Sequence, residues 1–160
     1  DSGSVINTNG INCVSYRGEE NLWGNIWTWV DGINVKNPSI FTIENRGTLY
    51  VVDHEFLDNI DTTPYVNTNL HPCYGAGYIS AFCYSEDFDW MFVPGETFGD
   101  SVLPVGDYFY NQKGSWRVVA LGGRENSGAF CGPYYYSMNS TSSNHSVITG
   151  GRLVYIPQTN

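Results

Sequence analysis

The sequence has few charged residues, and basic residues are the scarcest. Seven Lys and Arg stand against sixteen Asp and Glu, which gives 160 residues a formal net charge of −9. Binding to a nucleic-acid backbone or an anionic membrane surface depends on clustered cations, so nucleic acid is not an expected partner. Charged residues make up only 14% of the chain, and Asn, Ser, Thr, Gly and Tyr must therefore cover much of the surface.

Long apolar runs and common catalytic or metal-binding motifs are also missing. No apolar run approaches the roughly 20 residues that a transmembrane helix needs, so membrane insertion is not expected. The cysteines, at positions 13, 73, 83 and 131, form no CxxC pair and, with three His, no zinc-finger pattern. Two disulfides and four reduced, buried thiols both stay open. No Gly-x-Ser-x-Gly elbow of a serine hydrolase occurs.

Aromatic residues, in contrast, are abundant. They account for 16% of the chain, a composition that argues against disorder. The length fits one domain over residues 1–160. The first ten residues lack both an initiator Met and a signal-peptide pattern, so we expect the chain to be the C-terminal part of a longer protein.

One segment, residues 18–32, has helical periodicity. Apolar side chains recur on one helical face: Leu22, Trp23, Ile26, Trp27 and Val30. Glu19 and Glu20 suit the amino end of a helix, and Gly32 suits its termination. This pattern predicts a Trp-rich helix in the core. Elsewhere, apolar runs between turn residues predict strands at 33–36, 40–43, 48–52, 77–83, 90–93, 107–110, 116–121 and 152–156, with a loop over 59–72.

Residues 126–151 contain no Asp, Glu, Lys or Arg. This stretch is too polar for a core and too aromatic for a linker. It indicates either a neutral surface that contacts another molecule or a partly buried loop that packs its own tyrosines over the sheet. The first interpretation predicts these ligand-binding residues: Arg124, Asn126, Tyr134, Tyr135, Tyr136, Asn139, Ser143, Asn144 and His145. Arg124 would contact an acidic sugar or carboxylate, unless it pairs with an acid near Glu125.

Three segments resemble a known family. Residues 24–32 (GNIWTWVDG) resemble the GN-[VI]-W-x-W-V-x-D helix signature of the formylglycine-generating-enzyme branch of the C-type lectin fold. Residues 116–123 (WRVVALGG) and 148–153 (ITGGRL) resemble that branch's ending, W-R-V-x-x-x-G-G followed by N-x-G-[AF]-R-[LV]. The chain departs from the pattern at Gly150-Gly151 and at the turn Gly132-Pro133-Tyr134.

The resemblance implies an α+β, C-type-lectin-like fold with one or two short helices and antiparallel sheets of short strands. It is closest to receptor-binding domains of phage tail fibres and extends to the variable proteins of diversity-generating retroelements. The implied function is non-catalytic recognition of a host cell-surface glycan or protein, in a virion or extracellular setting, by a homo-oligomer, specifically a trimer. The alternatives are a virion decoration or fibre-assembly domain and a secreted bacterial adhesin.

Enzymatic function and cofactors are not expected. The formylglycine-generating enzymes bind copper through two cysteines late in the chain, where this sequence has only Cys131. Acidic residues cluster in two segments: Asp53, Glu55, Asp58 and Asp61, and then Glu86, Asp87 and Asp89. Solvated loops are the favoured interpretation of both clusters. A structural Ca²⁺ is the alternative, and glycoside hydrolysis is the least favoured.

Overall fold

The computed structural model describes residues 15–16, 19–20, 22–42, 44–52 and 65–151, and these residues form short strands. The strands are β1 (Ser15–Tyr16), β2 (Glu19–Glu20), β3 (Trp27–Asn37), β4 (Thr48–Val52), β5 (Tyr65–Asn67), β6 (Gly75–Tyr78), β7 (Ala81–Phe82), β8 (Pro94–Glu96), β9 (Tyr108–Asn111), β10 (Ser115–Leu121), β11 (Tyr136–Ser140) and β12 (Thr149–Gly150). One 3-10 turn spans Gly128–Phe130.

Eight strands form one mixed sheet in the order β5-β4-β3-β10-β11-β9-β6, with β12 beside the first residues of β3. The pairs β9–β11 and β3–β12 are parallel, and the other neighbours are antiparallel. Two further pairs, β1–β2 and β7–β8, lie outside this sheet. In the described residues no helix reaches seven residues, so the predicted α+β class with purely antiparallel sheets is wrong. No described helix meets the length and hydropathy required to cross a membrane.

The described part of residues 18–32 contains no helix, so the predicted Trp-rich helix is wrong: Glu19–Glu20 form β2, and β3, the longest strand, begins at Trp27. Trp, Thr, Val and Ile favour extended backbone, and Trp27 and Trp29 also satisfy the two-residue period of a strand. The backbone finds its partners far along the chain: β10 pairs with β3, and the Trp27 N–H donates to the Ile148 carbonyl at 2.9 Å. Gly32, with a φ of 74°, does not end a helix but lies where β3 carries extra residues relative to β10.

The two faces of the sheet differ. Val119 of β10 is fully buried in the apolar core, together with Phe109 of β9 and Met138 of β11. Because side chains alternate along a strand, Val118 and Ala120 point to the opposite face. That second face carries the aromatic residues described below.

The strand predictions hold best where the chain is most apolar. The prediction for 48–52 is confirmed by β4, and those for 107–110 and 116–121 are confirmed within one residue by β9 and β10. Segment 33–36 lies inside β3, whereas 77–83 is divided between β6 and β7. The predicted loop 59–72 contains β5. Residues 152–156 lie outside the described residues.

Two predicted strands are wrong. Residues 40–42 form no strand, and 90–93 precede β8 instead of forming a strand. In the second segment Met91 and Val93 are buried while Trp90 and Phe92 are exposed. The side chains therefore alternate between core and solvent, but they belong to an irregular segment between a turn and β8.

Candidate functional site

A row of four side chains crosses the second face of the sheet. In register, Trp29 of β3 stands beside Ala120 of β10, Ala120 beside Ser137 of β11, and Ser137 beside Tyr110 of β9. Neighbouring strands lie about 4.8 Å apart, so the two aromatic residues are separated by roughly 14 Å of backbone. Because the two middle side chains are small, the row forms a trough with aromatic walls.

The trough continues into a pocket of about 480 Å³, which we call the central pocket. Its rim comes from the loop after β10, through Arg124 and Asn126, and from the turn after β11, through Asn144. Trp27 and Tyr135 complete one end, with ring centroids 4.6 Å apart in an edge-to-face arrangement. The volume is within the range of pockets that hold small molecules, about 300–1,000 Å³.

Arg124 is the only charged residue among the described residues that line the central pocket. The backbone of Arg124 makes two hydrogen bonds with Ser127: the Arg124 N–H donates to Ser127 Oγ at 3.1 Å, and the Arg124 carbonyl accepts from the Ser127 N–H at 2.9 Å. Its guanidinium makes no hydrogen bond or ion pair with another residue in the described part of the chain. A guanidinium that has no counter-ion among the described residues is available to bind an anionic group.

Tyr135 places a phenol close to this cation. Burial raises the pKa of Tyr135 to about 12, and the Arg124 charge only partly opposes that shift. The phenol is therefore protonated at neutral pH and is available as a hydrogen-bond donor. Arg124 and Tyr135 together give this end of the pocket a donor-rich character.

Hydrogen bonds hold the opposite end in place. Asn139 Oδ1 accepts from Ser137 Oγ at 3.1 Å and from Ser140 Oγ at 3.2 Å. The side-chain amide of Asn144 donates to Ser140 Oγ at 2.8 Å. These contacts fix the polar rim before any ligand arrives, which lowers the entropic cost of binding.

Comparison with protein-family models, curated proteins and solved structures finds no match. The C-type lectin resemblance therefore depends on the sequence motifs alone, and its implied helices are not present in the described residues.

The structure brings five of the nine predicted binding residues together in the central pocket: Arg124, Asn126, Tyr135, Asn139 and Asn144. Ser143 and His145 are exposed on the turn after β11 and do not line the pocket. Their contacts are local, since His145 Nδ1 lies 3.2 Å from the Ser143 carbonyl oxygen.

The prediction that the late tyrosines are displayed to solvent is wrong for two of them. Tyr135 is 9% exposed, and its side chain lines the central pocket. Tyr136 is 8% exposed, and its side chain belongs to the apolar core. Tyr134 is half-buried against Phe82 and Phe92, with ring centroids 5.4 and 5.6 Å away. The reason is topological: the charge-free stretch contains β11, an interior strand of the sheet, so alternate side chains enter the core.

The sequence interpretation missed Trp27, Trp29 and Tyr110. The helix prediction put Trp27 on the apolar helical face and did not include Trp29 in it, whereas a two-residue period puts both on one face of a strand. Tyr110 alternates with the buried Phe109 in the same way. The two-residue spacing of aromatic side chains along β3 and β9 is thus the sequence pattern that would have predicted the aromatic walls of the trough.

Metal-binding groups of three or more His, Cys, Asp or Glu are absent from the described residues. Glu86, Asp87 and Asp89 are exposed, and the acidic residues at 53–61 lie outside the described residues. Cys73, Cys83 and Cys131 are free thiols, and burial raises the pKa of each. Cys13 lies outside the described residues.

Proposed function

We propose that this domain is a non-catalytic binding module that holds an acidic carbohydrate of a host cell surface in the central pocket. The observation that carries the proposal is Arg124, which has no ion-pair partner among the described residues and lies beside a trough walled by Trp29 and Tyr110. Flat aromatic faces stack on the apolar faces of sugar rings, while amides and hydroxyls bond the sugar hydroxyls. The guanidinium then binds a carboxylate through two parallel N–H donors.

The charge distribution supports an anionic ligand. A chain with a net charge of −9 repels anions at long range. The described lining of the central pocket nevertheless has one cation and no Asp or Glu. A described lining that has a cation and no acidic side chain, in a chain that is acidic overall, favours a ligand with a negative charge.

The side chains that line the central pocket favour binding without catalysis. Acid–base catalysis needs a group whose pKa lies near the working pH. The described lining of the pocket offers no Asp, Glu, His or Cys, and the Tyr135 phenol has its pKa raised to about 12 by burial. Apart from Arg124, Ala120 and Ile148, the described lining consists of amides, hydroxyls and aromatic rings, which recognise a ligand without transferring protons.

The role at the tip of a phage tail fibre, acting as a homotrimer, is part of this proposal and comes from the sequence resemblance. Linking several identical sites raises the overall affinity through effective concentration. A weak single pocket would then be enough to hold a virion on a host cell that displays many copies of the glycan.

Arg124→Gln is expected to weaken binding of sialylated and uronic-acid oligosaccharides at least tenfold. The variant removes the charge-assisted hydrogen bonds, each worth about 1.5–3 kcal/mol, and keeps a side chain of similar length. Titration calorimetry with acidic oligosaccharides and their neutral counterparts measures the difference. Lys113→Gln is the matched control, because it removes one positive charge from an exposed residue outside the pocket.

Equal affinity of the Arg124 and Lys113 variants would contradict the anionic-ligand assignment. Absence of binding to every acidic and neutral oligosaccharide of a broad glycan array, with no adsorption to candidate host cells, would contradict the binding module itself.

A second candidate function, fibre assembly, is favoured by one loop. Phe98, Val102 and Leu103 are exposed apolar side chains on a turn that Asp100 Oδ1 holds by accepting the Val102 and Leu103 N–H groups, each at 2.8 Å. A rigid apolar loop suits packing against a neighbouring subunit. Sedimentation separates the two functions: a tight oligomer without glycan or cell binding supports assembly.

A further inference from the structure

A second hollow lies on the same face of the sheet as the central pocket. It has a volume of about 320 Å³, and its walls include Asn34 of β3, Trp116 and Val118 of β10, and Thr141 and Ser142 after β11. We call it the Trp116 hollow. Trp116 and Val118, which line the hollow, and Ala120, which lines the central pocket, are every second residue of β10. Their side chains therefore point to the same face of the sheet, and the two cavities open toward the same side.

Trp116 is a fixed platform in this hollow. Its side chain is 45% exposed although it belongs to a strand in the interior of the sheet. The Tyr50 ring centroid lies 5.0 Å from that of Trp116, and Lys36 Nζ lies 5.6 Å from the indole centroid. The ring is thus held by two neighbours and still presents surface to solvent.

One short segment borders both cavities. Ser140 lines the central pocket, while the next two residues, Thr141 and Ser142, line the Trp116 hollow. Thr141 is held in a turn, since its carbonyl accepts the Asn144 N–H at 3.0 Å. Positions 116 and 120 of β10 are about 13 Å apart along the strand. A ligand longer than a single sugar ring therefore reaches from one cavity to the other along an ordered rim.

We propose that the Trp116 hollow is a second carbohydrate subsite and that the ligand is an acidic oligosaccharide spanning both cavities. This inference depends on the proposed function of the central pocket. One sugar would bind Arg124 in the pocket, and another would stack on Trp116 and bond the polar side chains around it. Positive charge that suits a repeating acidic sugar comes from Arg117, which lines the hollow, and from Lys36, which lies beside the indole.

The test is a length series. Oligomers of sialic acid and of galacturonic acid, from the monomer to the hexamer, are titrated into the wild-type domain and its variants. Wild type should gain about tenfold in affinity between the monomer and the longer oligomers, a typical contribution of one aromatic stacking contact. Trp116→Ala should lose this gain and keep the affinity for the monomer, whereas Arg124→Gln should weaken every member of the series.

Ser142→Leu provides a second test that leaves the sheet untouched. Ser142 is exposed on the turn, so a larger side chain there obstructs the hollow without disturbing the core. It should also abolish the gain with length. Phe98→Ala is the control, because this 88% exposed aromatic residue lines neither cavity.

The outcomes separate the two proposals. Monomer binding without a gain with length, or a gain that survives both Trp116→Ala and Ser142→Leu, overturns the second subsite and leaves the central pocket standing. Absence of binding by every member of both series overturns the acidic-carbohydrate assignment of the pocket and the subsite with it.

Discussion

Gly132→Ala is expected to lower the free energy of unfolding by about 3 kcal/mol, the upper part of the range for overpacking a tight interior. A Cβ at this position would overlap the carboxylate of Asp107. That carboxylate is completely buried and accepts the Tyr134 N–H at 2.8 Å. Moving it away would break this hydrogen bond inside the protein, which costs further free energy.

Gly151→Ala is the matched control for this substitution. No atom of the described residues lies within 4 Å of a Cβ built there, and the residue is exposed. Its unfolding midpoint in urea should stay close to that of wild type, whereas that of Gly132→Ala should fall with an unchanged m-value. Equal midpoints for the two variants would mean that the contact between position 132 and Asp107 is relieved at little cost.

The contact between Gly132 and Asp107 also illustrates the limit of the sequence interpretation. The turn Gly132-Pro133-Tyr134 departs from the pattern of the family that the sequence resembles. Nothing local indicates that this turn packs on a carboxylate 25 positions earlier in the chain. Non-local contacts of this kind decide where a turn lies, and residue propensities carry no information about them.

The same limit explains the wrong fold class. Apolar runs bounded by turn residues located β4, β9 and β10 correctly, because burial alone nearly determines such strands. Residues 18–32 fit a helical period and a strand period at once. The pairing of β3 with β10 decided between them. Paired residues are 78 to 93 positions apart in the chain, so only the three-dimensional structure supplies that pairing.

The candidate site was predictable in part. The absence of charge in residues 126–151 led to the prediction of Asn126, Asn139 and Asn144 as binding residues, and all three line the central pocket. It did not distinguish residues that face the pocket from those that face the core, as Tyr136 shows. That distinction depends on the register of β11, which the composition of the segment does not encode.

Alkaline pH is expected to destabilise the domain, and Tyr136 should account for about 3 kcal/mol of the loss. Burial raises the pKa of Tyr136 from 10.0 to about 12. The folded state therefore retains the proton over a range of pH in which the unfolded chain loses it. The contribution of Tyr136 is complete below pH 10 and is lost as the pH rises from 10 to about 12.

Tyr136→Phe tests this expectation because it keeps the ring in the core and removes the ionising hydroxyl. Urea unfolding at pH 8 and at several values between 10 and 12 should give the variant a shallower loss of stability than wild type. Tyr84→Phe, at a position that is 76% exposed, should follow the wild-type curve. Tyr135 and Cys73 also have pKa values raised to about 12 by burial, so the variant still loses stability at high pH. Parallel curves for wild type and Tyr136→Phe would instead mean that the Tyr136 hydroxyl ionises equally well in the folded and unfolded chains.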